Sequence, residues 1–423
     1  MADENKFKNK LPSHKTKKDV IVFVFVSLFS ISALIFYVYT ENAPIITSKF
    51  PTINITSEGN EINRDDYVDC MFEVDSDNSE YIISPIESKI KIRGDFNAGR
   101  PKKGYRIELS QQKPLVGLRK DDDWILFAMY FDIPRVRIKM AFDLWNSLEQ
   151  ENQPTMLPEL KYINLYIDGE YQGLYLLAEK NDRKLFGLAD AQNNIDSSLI
   201  FQAKGYTSFN KYDSKEWEQD WPNEDEEIYI MDEIMIDLIS FISSTTNEEF
   251  FEPDTGIYTK FDKTNLVDFF IFSFFILHRD IWDNNFFIIR DTHPNKYYLV
   301  PWDFDYTLGQ KLSKKYRYDE NPELDIHEKN KLFSRLISNK DFMEASKKRW
   351  NELRVDLWTD ESILDMLDDN YEEVKDILKY EANLVYSNEF KDDIDIVVDK
   401  AVNYLFEWIP KRLEYCDSYF INC

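Results

Sequence analysis

Residues 278–291 read HRDIWDNNFFIIRD, and residues 300–309 read VPWDFDYTLG. The run Leu266 to Leu277 before them is apolar nearly all round, too short at about 12 residues to span a bilayer and suited to a helix at the centre of a lobe. NFFIIRD and YYLVPWD then read as two short strands around the turn signal THPNK. The order is buried helix, polar loop, hairpin, acidic tripeptide, and the hairpin folds Asp303-Phe304-Asp305 back beside the loop. Short polar residues commonly close a helix, and Asp283 and Asn284 are read that way. Such a turn does not account for a second acidic position one hairpin later, so Asp280, Asn285 and Asp303 are read as a reaction centre. Zinc on His278 and Asp280 is a poor alternative, because His293 in the hairpin turn is the only further histidine nearby.

Outward from this stretch the pattern divides. Before it, IKIRG, GYRIELS, DWILFAM, YINLYID and YQGLYLLAE alternate with period two, and Asp168-Gly169 marks a tight hairpin. One helix, at about Pro134 to Leu148, interrupts these strands, with Val136, Met140, Leu144 and Leu148 at helical spacing. After about residue 225 long amphipathic runs dominate. The expected fold class is α+β, a β-rich lobe followed by a helical lobe, with a cleft between them.

The formal net charge over 423 residues is −27, which argues against nonspecific binding to nucleic acid or anionic lipid. Against that background KIKIRGDFNAGRPKKGYRIEL concentrates Lys89, Lys91, Arg93, Arg100, Lys102, Lys103 and Arg106 among glycines. Strand cations next to a flexible loop suit phosphate, and they equally suit a basic edge hairpin protected from further strand pairing. In a regular strand Lys103 shares a face with Tyr105, Ile107 and Leu109, and Arg106 points the other way, so one of the two faces the cleft unless Gly104 marks a bulge.

The uncharged run Val20 to Tyr39 is long enough for a membrane span, and lysines precede it. The expected organisation is a cytosolic basic tail over 1–19, a transmembrane signal anchor over 20–39, a linker over 40–80, a β-rich N-lobe over 81–205 and a helical C-lobe over 206–423. The main domain is expected outside the cytosol, tethered to the cell membrane by one N-terminal helix. Cys70, Cys416 and Cys423 allow at most one bridge, so no disulfide framework holds the domain. Asn54-Ile55-Thr56 is a glycosylation triplet of the kind that also occurs by chance.

In order and spacing the central stretch resembles the reaction centre of protein kinases, a loop H-R-D-x-x-x-x-N followed after a short hairpin by D-F-G. Asp280 and Asn285 match the loop, and Asp305 replaces the final glycine, removing the freedom a flipped loop needs. More specifically, RGDFNAGRPKKGYRIEL, DWILFAMYFDIPRVR, YINLYIDGEYQGLYLLAEK, HRDIWDNNFFIIR and YYLVPWDFDYTLG resemble the CotH kinases, over about residues 85 to 415.

The resemblance implies an atypical protein-kinase-like two-lobed fold that uses ATP with Mg²⁺ or Mn²⁺ to phosphorylate Ser or Thr of exported or coat-type proteins. It implies Asp280 as the catalytic aspartate and Asn285 and Asp303 as metal ligands, with Asp305 as a further ligand or its support. Lys103 or Arg106 would meet the phosphates, and Glu179 would contact adenosine or brace the crossing between lobes. Charge adds the expectation of a basic protein substrate. Two rival readings are a metal-dependent glycosyltransferase using Asp-x-Asp and a pseudokinase that binds without turnover. Against the first, the chain lacks an early doubly wound βαβ pattern.

Overall fold

The computed structural model describes residues 49–423, apart from 95–98, 149–154, 206–208, 224–227, 311–314, 387–388, 390–392 and 423. Seven strands close a barrel in the order β1-β2-β3-β4-β5-β7-β6. They are β1 (Thr52–Thr56), β2 (Val68–Asp75), β3 (Ile83–Arg93), β4 (Gly104–Pro114), β5 (Lys120–Phe127), β6 (Lys161–Ile167) and β7 (Glu170–Glu179). Alternation fills the interior with Ile53, Ile55, Phe72, Val74, Ile90, Ile107, Trp124, Leu126, Ile163, Leu165 and Leu177, as a small barrel requires. Each such side chain cut to alanine should cost about 2–5 kcal/mol.

Residues 52–75 were expected within a linker, and the structure corrects this. The segments TINIT and VDCMFEVD are short and bounded by polar residues, but each places alternate apolar side chains in the barrel. Closure depends on them, because β1 pairs antiparallel with β2 and parallel with β6. The hairpin at Asp168-Gly169 has positive φ at both turn residues (50° and 81°). The Asp168 carboxylate accepts hydrogen bonds from the Ser57 backbone N–H (2.7 Å) and hydroxyl (2.6 Å), fixing the turn to the end of β1.

A second sheet has the order β11-β10-β8-β9, built from β8 (Leu199–Ala203), β9 (Trp217–Trp221), β10 (Phe286–Arg290) and β11 (Tyr297–Pro301). The expected lobe boundary at 205 is therefore misplaced. β8 pairs with β10 of the hairpin rather than with the barrel, and the barrel ends at Glu179. LIFQA is almost wholly buried at the centre of its sheet, so its own pattern carries no mark of its partners. Both sheets are antiparallel except for the β1–β6 pairing.

The helix between β5 and β6, α1 (Arg137–Asn146), buries Met140 and Leu144, with Val136 and Leu148 buried at its flanks. It packs on the helical half as well as on the strands: Phe142 meets Phe304 and Trp302, and Trp145 meets Phe269 and Phe272. The helical half starts at α2 (Met231–Ser244) and centres on α3 (Lys263–Phe275), in which every residue from Asn265 to Phe275 is buried. Around them stand α4 (Glu323–Lys329), α5 (Lys331–Ile337), α6 (Lys340–Val355), α7 (Asp360–Val374), α8 (Leu378–Tyr386) and α9 (Ile394–Asn422). The mixed α+β class, β-rich first and helical after, is what the sequence pattern anticipates.

The α3 helix is anchored at both ends. Asp262 caps its start by accepting from the Asn265 N–H, while the Asn265 carboxamide makes a reciprocal pair with the backbone of Leu299 on β11 (3.0 and 2.7 Å). At the far end the buried Arg412 of α9 donates to the carbonyls of Phe274 and Phe275, a cation placed where the helix dipole is negative. This sets the position of the loop that follows.

The membrane expectation is corrected. Among the described residues no helix is long and apolar enough to cross a membrane. The tail 1–19 and the stretch 20–39, on which the single-pass localisation rested, lie outside the described residues. Cys70 and Cys416 are free and buried.

Candidate active site

After α3 the chain turns at Leu277 (φ 54°) into His278. The buried His278 ring donates from Nε2 to the Trp302 carbonyl at 2.9 Å. Burial lowers its pKa, so the ring is neutral and acts as a tie between the loop and the residue preceding Asp303. The group of three or more metal-ligating side chains found among the described residues is Asp121, Asp122 and Asp123, which does not include His278, so the geometry lends the zinc alternative no support.

A 3₁₀ turn, Arg279–Trp282, carries Asp280. Arg279 points away to Asp325 and Glu320, and the Asp280 carbonyl accepts from the Asn284 N–H at 3.1 Å. Asp283 is buried against Lys329, consistent with its reading as a turn residue.

The β10–β11 register sets Phe286 opposite Pro301, which brings Asn285 beside Trp302 and next to Asp303. The Asn285 carbonyl accepts from the Trp302 N–H at 2.8 Å. Both Asn285 (φ 61°) and Asp303 (φ 58°) are in the left-handed region, which Asn and Asp tolerate better than other residues with a Cβ. The Phe304 ring between them and Asp305 is buried against Phe142, Phe272 and His278. Its packing holds the tripeptide in place.

Asn284, Asn285 and Asp303 line a cleft of about 450 Å³. From β3 and β4 come Lys91, Arg93 and Arg106, with Gly94 just after β3, and Arg64, Lys180 and Lys204 add further cations. Alternation explains the roof: Ile90, Ile92, Tyr105 and Ile107 turn into the barrel, so Lys91, Arg93 and Arg106 turn out. Lys91 and Arg106 are cross-strand partners.

Membership of the basic stretch by itself assigns Arg93 no role. Its guanidinium lies over the Phe127 ring at 4.5 Å. Burial lowers its pKa to about 10 against the opposing pull of Asp303 and Asp305, leaving it charged at neutral pH. Gly104 is opposite Arg93, and a Cβ there would come within 3.0 Å of the Arg93 side chain. The glycine makes room for the cation.

The remaining predicted residues separate. Arg106 lines the cleft and Lys103 does not. Glu179 is not in the lining; Arg119 donates to it at 2.6 Å, the bracing alternative, while Lys180 and Asn181 immediately after it do line the cleft. Asp280 and Asp305 are half-buried on the two 3₁₀ turns flanking the lining residues. Asn284, read only as a turn residue, is part of the wall.

For a hard divalent cation the Asn285 amide and the Asp303 carboxylate are suitable oxygen donors. Mg²⁺ is usually held by one or two carboxylates, with waters and substrate phosphates completing its shell. Among the described residues the Asp303 carboxylate makes no hydrogen bond to the protein and is exposed to the cleft. A separate acidic group, Asp121, Asp122 and Asp123, sits on β5 and is met by Arg119 and Lys184.

The family model described as CotH kinase protein matches residues 90–416. The chain belongs to the CotH kinase family. A crystal structure titled as that of a Helicobacter pylori proinflammatory kinase, CtkA, is similar over 78% of this chain and 94% of its own, at 12% identity and a TM-score of 0.29. No curated protein matches. The CotH family match takes in β4 to β11 whole and every candidate site residue from Lys103 to Asp305, and it makes this a kinase-like protein.

Proposed function

We propose that this CotH-family chain is an atypical, two-lobed protein kinase that transfers the γ-phosphoryl group of ATP to a Ser or Thr hydroxyl of a protein. One observation carries the reading: the β10–β11 ladder seats Asn285 and Asp303 on one wall of a cleft whose other wall presents Lys91, Arg93 and Arg106. A bond forms between the acceptor oxygen and the γ-phosphorus as the bond to the β–γ bridging oxygen breaks, and ADP leaves. Asp280 orients the acceptor hydroxyl and takes its proton. Arg106, with Arg93, offsets charge on the phosphates.

Bound through Asn285 and Asp303, Mg²⁺ or Mn²⁺ would neutralise phosphate charge, with Asp305 supporting Asp303 from its turn. Glu179 braces the end of β7 through Arg119. The acidic surface outside the cleft favours encounter with basic protein substrates, an attraction that salt weakens. Exported or coat-type proteins are the substrate class.

The test is to incubate the purified chain with labelled ATP, Mg²⁺ or Mn²⁺ and a panel of Ser- and Thr-containing proteins. Metal-dependent label transfer that is lost in Asp280→Ala supports the proposal. Transfer that persists at full rate in that variant, or no transfer to any acceptor, defeats it. Nothing in the site favours the glycosyltransferase reading, and the two described sheets are not doubly wound.

A further inference from the structure

Asn181 is the second residue after β7, where the chain leaves the barrel. It is 4% exposed and lines the cleft, yet neither Nδ2 nor Oδ1 has a hydrogen-bond partner among the described residues. Burying an amide with both ends unsatisfied is costly, and native proteins rarely leave such groups without a partner, ligand or water. Among the apolar side chains that line the same cleft are Ile125 from β5, a cross-strand neighbour of Arg106, and Phe287 from β10. A flat apolar ligand with a polar edge would satisfy all three.

We infer that Asn181 reads the base of the nucleotide, pairing its carboxamide with the adjacent donor and acceptor of adenine while Ile125 and Phe287 flank the ring. This rests on the phosphoryl-transfer reading and adds to it the residue that selects the base. An asparagine amide offers a donor and an acceptor side by side, the complement of adenine N6–H and N7. A carboxylate at the same place offers acceptors alone, which suits the adjacent N1–H and N2–H of guanine. Asn181→Leu removes the pairing at similar volume and also removes two unsatisfied polar atoms, so it should leave the fold intact.

The experiment measures the affinity of the full chain for ATP, GTP and inorganic tripolyphosphate, each with Mg²⁺, in the native protein, Asn181→Leu and Asn181→Asp. The native chain should favour ATP over GTP by about tenfold or more. Asn181→Leu should lose about that factor for ATP, leaving tripolyphosphate within about twofold, and Asn181→Asp should reverse the preference toward GTP. The inference is overturned if Asn181→Leu keeps native ATP affinity, or if ATP binds no more tightly than tripolyphosphate. If neither ATP nor tripolyphosphate binds, the phosphoryl-transfer reading fails and takes the inference with it.

Discussion

The barrel wall of the cleft and the wall facing it carry their polar groups by different means. On β3 and β4, Lys91, Arg93 and Arg106 follow from strand alternation, so several cations share one face. On the other wall Asn285 and Asp303 are single residues at positive φ, brought together by one hairpin register and the His278 tie. Redundancy on one side and singularity on the other should show in the response to substitution.

Among the residues of the two walls the largest effect is expected at Asp303. Asn at this place keeps the size and the tolerance for φ 58° but removes the charge. Asp303→Asn should lower kcat/KM by about 1,000-fold, with a melting temperature within about 2 °C of the native chain, because the side chain is exposed and carries no packing. Steady-state kinetics and a thermal melt of the same sample decide it. An equal loss from any single cation on the roof would erase the distinction between the walls.

How much of this was legible in the sequence follows from the same contrast. Loop, hairpin and Asp-Phe-Asp are contiguous, and local pattern sufficed to bring Asn285 toward Asp303. The barrel strands from β3 onward were equally open to reading, since Ile90, Ile92, Tyr105 and Ile107 alternate cleanly. Closure by β1 was not, because TINIT owes its place to β6 more than 100 residues away. β8 was assigned to the wrong half for a similar reason. Asn181 and Lys102 were beyond reach, one because its significance is a missing partner, the other because its partner Glu381 lies on α8.

Lys102 belongs to the same basic stretch as Arg106 but turns into the protein, and so tests whether sequence proximity or strand geometry sets a role. Its ammonium pairs with Glu381 and donates to the Leu174 carbonyl at 2.5 Å, and Glu381 also accepts from the Leu174 N–H at 3.0 Å. Glu381→Leu leaves Lys102 and the nearby Arg135 without their anion and should cost about 3 kcal/mol in denaturant unfolding. Adding Lys102→Met should recover part of that loss. Full stability in Glu381→Leu would mean that Lys102, whose pKa burial already lowers to about 7, gives up its proton at little cost once the carboxylate is gone.

Smaller effects are expected on the roof itself. Arg106→Ala should raise KM for ATP by about tenfold with a modest change in kcat, because Lys91 and Arg93 remain. Lys103→Ala should leave KM within about twofold, since its side chain is not in the cleft. Reversal of these two results would put a bulge at Gly104 and return the choice to Lys103.

The smallest effect compares the two halves through their thiols. Cys70 of β2 is 7% exposed beside a surface groove, and Cys416 of α9 is fully buried. Burial raises their pKa values to about 12 and about 11, so the reactive thiolate is scarce at neutral pH in both. Because both folded values exceed the ordinary thiol value, the stability linked to them is present below about pH 9 and declines as pH rises through 11 and 12. In a Cys423→Ser background at pH 8, a thiol reagent should therefore label neither site promptly in the folded chain and both in denaturant. Cys70 should precede Cys416, since reagent reaches the barrel surface by a local opening while α9 must detach from α3, to which Arg412 is bonded. Labelling of Cys416 first would make the helical half the looser of the two, and the contrast between a singular, firmly held wall and a redundant one would have to be reversed.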